Sequence, residues 1–572
     1  MSLTAFSIES EEGYFIVLGR QDGVCGDAPD VDGYTCDSER VQAAVDNNPG
    51  GKILLKGEFH FAEIDPDTGY IVPGTDQFVD IQNDIEIRGQ KVWHKYKTKI
   101  VGGWDTFRSG VMWMDITPWG IPTEWFFPNE DSPHQIAIRD IHFDQPFFTA
   151  IHLLKFDGAY IIGNKFTGGR AFEGFRFLLE GLPFPLAWHM KIGVYNPLDF
   201  LIPADPSEAM GEVLIDRNIF DGQYYDADPG DPWAYEMWDG TFHTGGTLSF
   251  VVWMADVEVT VTTNLFDQLS GLHHGAFEVN AVEGDIVIKK NVIKRPNGGG
   301  GIFLSSGSDF GGYACKFGDI YVENNIIELN AVNEPDPVYK FPFSGIDLGG
   351  SMCGNLQRAE IKNNIISGVV QYGIWANNIT DSTIINNLID IRSVEGKDIM
   401  GILGGAITDS KIKNNIISIN GTPASNSGRG IKLEGGVTDY DDTGELINPI
   451  GSSRNTIKYN LISGVGDFAI SIGDSEDSFY GSSDENVIVY NMLKFFELQP
   501  GSLGVAGHVL FTEYTNQNMY FMGFGDVIYD YTDPNGPLYD PATYAGDNII
   551  RYSWKALEEL QYSLIHLPLV AK

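Results

Sequence analysis

Short runs of alternating β-branched residues flank asparagine along most of this chain. The clearest are Ile361-Lys-Asn-Asn-Ile-Ile366, Ile384-Ile-Asn-Asn-Leu-Ile389 and Ile412-Lys-Asn-Asn-Ile-Ile417. Period-two alternation of such residues predicts strands rather than helices. Looser copies place the same asparagine at 164, 218, 264, 291, 325, 460 and 491. The tightest spacing, Asn364 to Asn387, is 23 residues, and the others are longer by variable amounts. A fixed short unit with variable insertions predicts a solenoid whose loops leave from set corners.

Each unit reads as a strand, an asparagine corner, a second strand and, after a loop, a third strand. Asparagine suits the corner because it tolerates left-handed backbone angles and its amide reaches the copy one rung away. The third strand recurs as Gly301-Ile-Phe-Leu, Gly345-Ile-Asp-Leu, Gly373-Ile-Trp-Ala, Gly430-Ile-Lys-Leu and Ala469-Ile-Ser-Ile. The last copy is degenerate: Asp547-Asn-Ile-Ile-Arg-Tyr-Ser aligns with Glu485-Asn-Val-Ile-Val-Tyr-Asn and puts Ser553 where Asn491 stood. That alignment marks 547–553 as the final rung and Trp554 to Lys572 as a cap. At the other end, Val41, Ala44 and Val45 have helical spacing over 37–48, and Pro49-Gly50-Gly51 stops the helix. Lys52-Ile-Leu-Leu-Lys-Gly57 then reads as the first strand. A helix over the open end of a solenoid hides the apolar interior of the first rung.

The helix Val-Gln-Ala-Ala-Val-Asp, the Pro-Gly-Gly turn, the strand and the asparagine rungs together resemble the right-handed parallel β-helix proteins of the pectin-lyase-like superfamily. The resemblance covers about residues 37 to 560. It implies an all-β, right-handed, single-stranded parallel β-helix with an N-terminal capping helix and an asparagine ladder. The expected layout is an N-terminal extension over 1–36 and one β-helix domain over 37–572, with long insertions at about 170–245 and 497–545. The superfamily hosts lyases, hydrolases, epimerases, transferases and non-enzymatic adhesins, so fold alone does not choose a reaction.

Charge narrows the partners. The chain has 572 residues, with 37 Lys+Arg against 78 Asp+Glu and a formal net charge of −41. Such a surface repels nucleic acid and anionic lipid, and it disfavours a polyanionic substrate unless a local basic patch intervenes. No apolar run is long enough to span a membrane. The start, Met-Ser-Leu-Thr-Ala-Phe, shows no signal peptide, so the chain is either intracellular or has lost a leader; a secreted or cell-surface location is expected from the fold. Of four cysteines, Cys25 and Cys36 flank a short loop that a disulfide would close, while Cys315 and Cys353 lie near neighbouring repeats. Disulfides and free buried thiols remain open, and the spacing fits no CxxC metal or redox motif.

Two regions carry candidate chemistry. The long insertions hold Trp188, His189 and Tyr195, then Tyr224, Tyr225, Trp233, Tyr235, Trp238 and His243 among Asp226, Asp228, Asp231, Glu236 and Asp239. Aromatic rings with interleaved carboxylates suit sugars, which offer apolar faces and hydroxyl edges, although the rings also serve as a loop's own small core. Asp226, Asp228 and Asp231 around Gly230 supply the oxygen ligands Ca²⁺ prefers, without the full EF-hand pattern. No cofactor is otherwise required.

The second region is the outward face of the third strand. In rung order it reads His152, Arg176, Ser249 or Val251, Glu278, Phe303, Asp347, Trp375, Leu403, Lys432 and Ser471. Glu278 and Asp347, two rungs apart, are the expected acid/base pair of a glycoside hydrolase, with backbones about 10 Å apart at about 4.8 Å per rung. Both are expected to be solvent-exposed. His273 and His274 stand close enough in sequence to tune Glu278. Trp375 is the expected stacking platform, and Arg176 and Lys432 would orient hydroxyls or carboxylates. The alternatives are β-elimination on a uronic acid polymer, with Arg176 and His152 or Lys294 and Arg295 as base and cation, and a non-catalytic glycan-binding or adhesive solenoid. The Asn-Thr-Asp, Asp-Asp, Gly-His-Gly and Arg-Ile-Lys set of polygalacturonase-type hydrolases is absent; Gly271-Leu-His-His-Gly275 and Gly430-Ile-Lys-Leu only approach it. The sequence thus supports a carbohydrate-active protein that cleaves or binds a polysaccharide.

Overall fold

The computed structural model describes residues 13–19, 34, 36–62, 78–103, 105–110, 112–115, 122–125, 134–144, 149–168, 188–193, 209–222, 224–226, 235–236, 242–245, 248–267, 276–282, 284–294, 300–305, 318–329, 344–348, 356–392, 398–421, 428–440, 446–473, 481–500, 505–512, 515–522 and 526–552. The chain divides into two compact units. The first comprises 1–297 with 310–316 and 333–339; the second comprises 298–309, 317–332 and 340–572.

Both units are built from parallel strands that add one rung at a time to three sheets, a right-handed parallel β-helix. In the first unit the helix α1 (Asp37–Asn47) buries Val41, Ala44 and Val45, as their spacing predicts. Asp37 Oδ2 accepts the His60 amide at 2.9 Å and ties the helix to the first long strand, Lys52–His60. That strand runs three residues past the expected end at 57 and turns from one sheet into the next at Gly57, whose φ is +103°. Residues expected as an N-terminal extension contribute a strand, Phe15–Leu18, paired parallel with Ile53–Lys56. Cys36 is disulfide-bonded, and its partner lies outside the described residues.

The asparagine ladder is present in each unit, with its geometry shifted by one residue from expectation. The left-handed residue is the one before the ladder asparagine: Gly163, Arg217, Thr263 and Lys290 in the first unit, Asn324, Asn363, Asn386, Asn414, Tyr459 and Tyr490 in the second. The ladder asparagine itself turns inward, and its amide works in two directions. Asn387 Oδ1 accepts the Asn364 amide N–H at 3.0 Å, and Asn387 Nδ2 donates to Ile361 O at 3.0 Å and to Asn415 Oδ1 at 3.0 Å. Every bond lies in the buried corner, where an unmade one would leave a desolvated polar group. Paired asparagines therefore divide two roles, the first taking the positive φ and the second the ladder.

A second ladder runs along another corner of the second unit. Ser382, Ser410, Asn455, Asn486, Asn518 and Asn548 each receive the preceding rung's amide or pass on their own at about 3 Å. Asn518 sits between Asn486 and Asn548, so the degenerate final repeat spans two rungs rather than one. The 497–545 span is correspondingly more than an insertion, because Gly507–Phe511, Met519–Met522 and Ile528–Asp530 are rung strands. The 170–245 span likewise holds rung strands Trp188–Gly193, Ala209–Asp216 and Ile219–Asp221. Beyond them, Tyr224–Asp226, Tyr235–Glu236 and Phe242–Gly245 form a small antiparallel sheet. Ser553 and the expected cap over 554–572 lie outside the described residues.

The interiors differ. In the first unit Phe143, Phe166, Phe220 and Phe266 stack nearly coplanar, at 5.1, 4.9 and 5.0 Å between successive centroids. In the second unit the same position after the ladder asparagine is Ile327, Ile366, Ile389, Ile417 and Ile462, in register. Their Cγ2 methyls face Gly301, Gly345, Gly373, Gly401 and Gly430, where a Cβ would come within 2.7, 2.5, 2.6, 2.3 and 2.4 Å of them. The recurring Gly-Ile of the third strand is thus a steric requirement, not a turn signal.

Candidate functional site

The strand pairing passes over Gly345, from Ser344↔Tyr372 to Ile346↔Ile374, and the Ser344 hydroxyl reaches Asp347 Oδ2, so Ser344 and Asp347 share a face although three residues apart. This creates two outward columns on the third sheet of the second unit. The far column pairs Phe303, Asp347, Trp375, Leu403, Lys432 and Ser471 in register, in the order the alternation predicts, and continues to Leu510 and Tyr529. The near column pairs Ser344, Tyr372, Met400, Arg429 and Phe468. Sequence reasoning took only the far column. The near one was legible as the residue just before each Gly-Ile.

The face is not the solvated strand surface that was expected. Asp347 is 4% exposed, Lys432 7% and Ser471 0%, while Tyr372 and Trp375 are half-buried. Asp347 is the chemically distinctive member. The Ser344 hydroxyl donates to its Oδ2 at 2.9 Å, and its buried Oδ1 has no hydrogen-bond partner among the described residues. Burial penalises the ionised form and the single hydroxyl only partly compensates, so the carboxyl is pushed up to about 7. Near neutral pH it is divided between acid and carboxylate.

Aromatic groups lie beside it. Trp375, one rung away, donates its indole N–H to Asn377 Oδ1 at 3.0 Å, and its ring meets Tyr372 at 5.3 Å and 53°. The Tyr372 phenol is raised by burial first, then by the carboxylates of Asp398, Glu434 and Asp347. It remains a proton-bearing hydroxyl at any physiological pH. Among the described residues two cations stand in these columns, each with a carboxylate beside it. Lys432 Nζ pairs closely with Glu434, and Arg429 lies 3.8 Å from Asp467 and donates to Ser471 Oγ at 3.3 Å. Asp467 accepts the backbone N–H groups of Gly428 and Phe468 at 2.9 and 3.0 Å, yet burial still holds its carboxyl above the usual range.

In the first unit the corresponding column reads Asp80, Arg108, His152, Lys191, Val251 and Glu278. Lys191 therefore occupies the position expected for Arg176, and Val251 rather than Ser249 is in line; the Ser249 hydroxyl is buried and donates to Ala276 O. Arg108 forks onto Asp80 and lies over the Phe78 ring at 3.2 Å. His152 Nδ1 is 3.2 Å from Asp105 Oδ2, and the Thr149 hydroxyl binds the other Asp105 oxygen, all fully buried. Glu278 is 9% exposed, which corrects the expectation of an open carboxylate. It belongs to the first unit and Asp347 to the second, so each is described only in its own setting.

Arg176, His273, His274, Arg295, Trp233, Trp238, Asp228 and Asp231 lie outside the described residues. Tyr235, His243 and Asp226 are placed only as members of the small antiparallel sheet, with Asp226 paired to His243 and His243 to Tyr235. Among the described residues no group of three or more His, Cys, Asp or Glu is arranged to hold a metal ion, and no helix is long and apolar enough to cross a membrane.

No family model matches the chain, and no curated protein matches it. Several solved structures are similar at low identity. A PL6 alginate lyase in complex with a trisaccharide is 12% identical, over 95% of this chain and 97% of that one, with a TM-score of 0.35. The mannuronan C-5 epimerase AlgE6 A-module of Azotobacter vinelandii is 13% identical, over 86% and 97%, with a TM-score of 0.33. The DFA-IIIase of Arthrobacter chlorophenolicus A6 is 13% identical, over 72% and 88%, with a TM-score of 0.32. The β-helix assignment rests on the strand pairing described above.

Proposed function

We propose that this protein binds a glycan along the outward third-sheet face of its second unit and cleaves a glycosidic bond there, with Asp347 as the proton donor. The observation that carries this is the Asp347 carboxyl: buried, poised at about 7, with an unbonded oxygen, one rung from a partly exposed tryptophan. As the bond from the anomeric carbon to the bridging oxygen breaks, Asp347 gives its proton to that oxygen, while a water adds at the anomeric carbon and loses a proton to solvent; a donor whose pKa lies near the working pH serves best. Trp375 offers a ring for the C–H face of a sugar, and the Tyr372 hydroxyl remains a hydrogen-bond donor because burial, and then the nearby carboxylates, keep it protonated. Asn377, fixed by the indole N–H, orients the platform.

Asp347→Asn keeps the shape and removes the proton donor. It is expected to lower turnover by about 10²–10⁴-fold with binding little changed, and wild-type turnover should fall as pH rises through about 7. The measurement is reducing-end release together with ultraviolet absorbance across neutral and uronic polysaccharides. Full activity in the variant sinks the assignment of Asp347. Unsaturated uronides would instead mean β-elimination, and silence with retained glycan binding would mean a non-catalytic solenoid.

A further inference from the structure

We infer that the glycan taken by this face is uncharged, an inference that rests on the glycan-cleaving function proposed above. A uronic acid brings a carboxylate every residue or two, and binding it in a partly buried site requires a cation with charge to give. The described cations of the face are already matched to anions. Lys432 holds Glu434, and Arg429 lies against Asp467 while donating to Ser471. Engaging a uronate would mean separating one of these pairs and leaving behind either a buried Asp467 or a half-buried Glu434 without its cation.

The remaining charge on the face is of the wrong sign. Asp347 ionises as pH rises, and Asp398 adds to burial in raising the Tyr372 phenol. A uronate beside Tyr372 would meet the same field. The formal net charge of −41 adds long-range repulsion against any polyanion. The half-buried groups of the face suit hydroxyls and C–H surfaces: the Trp375 and Tyr372 rings and the Asn377 amide.

The test pairs polygalacturonate and alginate with their own carboxyl-reduced forms, in which each –COO⁻ has become –CH₂OH, beside a panel of neutral polysaccharides. Turnover and binding by the wild-type protein are expected to be confined to neutral and reduced members, with each reduced polymer bound at least about tenfold better than its parent. Equal or better use of a parent polymer overturns the inference while leaving glycan cleavage standing. No binding or turnover on any member removes the glycan function itself, and the inference with it. Glu434→Gln, with folding checked by circular dichroism, releases Lys432 and should raise affinity for the parent polymers by about tenfold. An unchanged preference in a folded Glu434→Gln protein would show that the matched pair does not set it.

Discussion

In the first unit the outward column of the third sheet holds a carboxylate matched by a guanidinium one rung away, whereas the second unit holds a carboxyl with no such partner among the described residues. Asp80 meets Arg108 in a two-point contact, and His152 meets Asp105, which is itself anchored by Thr149. Asp80 and Arg108 satisfy one another, and a cut at either would strand the other. Asp347 has one hydroxyl on one oxygen and nothing described on the other. A fold tolerates that arrangement at a cost, and unsatisfied or strained groups concentrate where a site requires them. On the function proposed above, the chemistry belongs to the second unit's column.

The largest expected effect follows from the sign of the Asp347 shift. The folded protein holds this proton more tightly than the unfolded chain does, so stability falls as pH rises from about 4 to about 7. The gap between about 7 and the ordinary 3.8 corresponds to about 4 kcal/mol at saturation. Asp347→Asn should therefore gain stability relative to wild type at about pH 8 and show little difference at about pH 4. Hydrogen exchange at the Ser344–Leu348 and Tyr372–Thr380 strands, followed across pH, measures it. A wild-type profile that is flat across this window would place the carboxyl among ordinary, solvated ones.

The first unit should respond in the opposite direction. His142 lies next to Tyr96 and contacts the Thr167 hydroxyl, and burial lowers its imidazole to about 4, with Asp144 opposing and Lys165 and Lys99 reinforcing. Here the unfolded chain binds the proton more readily, so stability is present above about 6.5 and is lost as pH falls towards 4. The effect is at most about 3 kcal/mol. Protection factors, corrected for the intrinsic pH dependence of exchange, should fall at His142–Asp144 and Lys165–Thr167 on acidification while those of the Asp347 strands rise. His142→Gln should remove the acid sensitivity, and a variant that keeps it would point to another group.

How much of this was legible depends on which side of the strand a residue occupies. Inward positions announce themselves by repetition, so the ladder asparagines follow from the repeats and the order of the outward column from Phe303 to Ser471 from the alternation between them, while the capping helix follows from its own helical spacing. Arg176 was misplaced because its rung carries long loops, and with the Asn164 to Asn218 interval at 54 residues several Gly- or aromatic-flanked runs compete for one strand; Lys191 won the register. The second ladder was hidden because serine replaces asparagine at 382 and 410, and a hydroxyl accepts the same backbone N–H. Burial of Asp347 and Glu278 was not readable at all. Alternation tells which face a side chain takes, and nothing about what covers that face.

The smallest expected effect tests why the units differ inside. In the second unit a β-branched isoleucine aims its Cγ2 at the neighbouring strand, and only glycine fits opposite: a Cβ on Gly373 would sit 2.6 Å from Ile389 Cγ2 and 2.5 Å from Gly401 O. In the first unit flat phenyl rings stack along the same line, and the positions before Ile151, Phe250 and Phe277 carry Ala150, Ser249 and Ala276, each fully buried. Gly373→Ala is therefore expected to cost about 1–3 kcal/mol in chemical unfolding, and Ala276→Gly about 1 kcal/mol through chain entropy alone. Ile389→Leu moves the branch away from Cβ, so the double change Gly373→Ala with Ile389→Leu should recover part of the loss. Recovery will be incomplete, because the Gly401 carbonyl remains. Strict additivity of the two changes would mean the glycine answers to the backbone of the next rung rather than to the isoleucine beneath it.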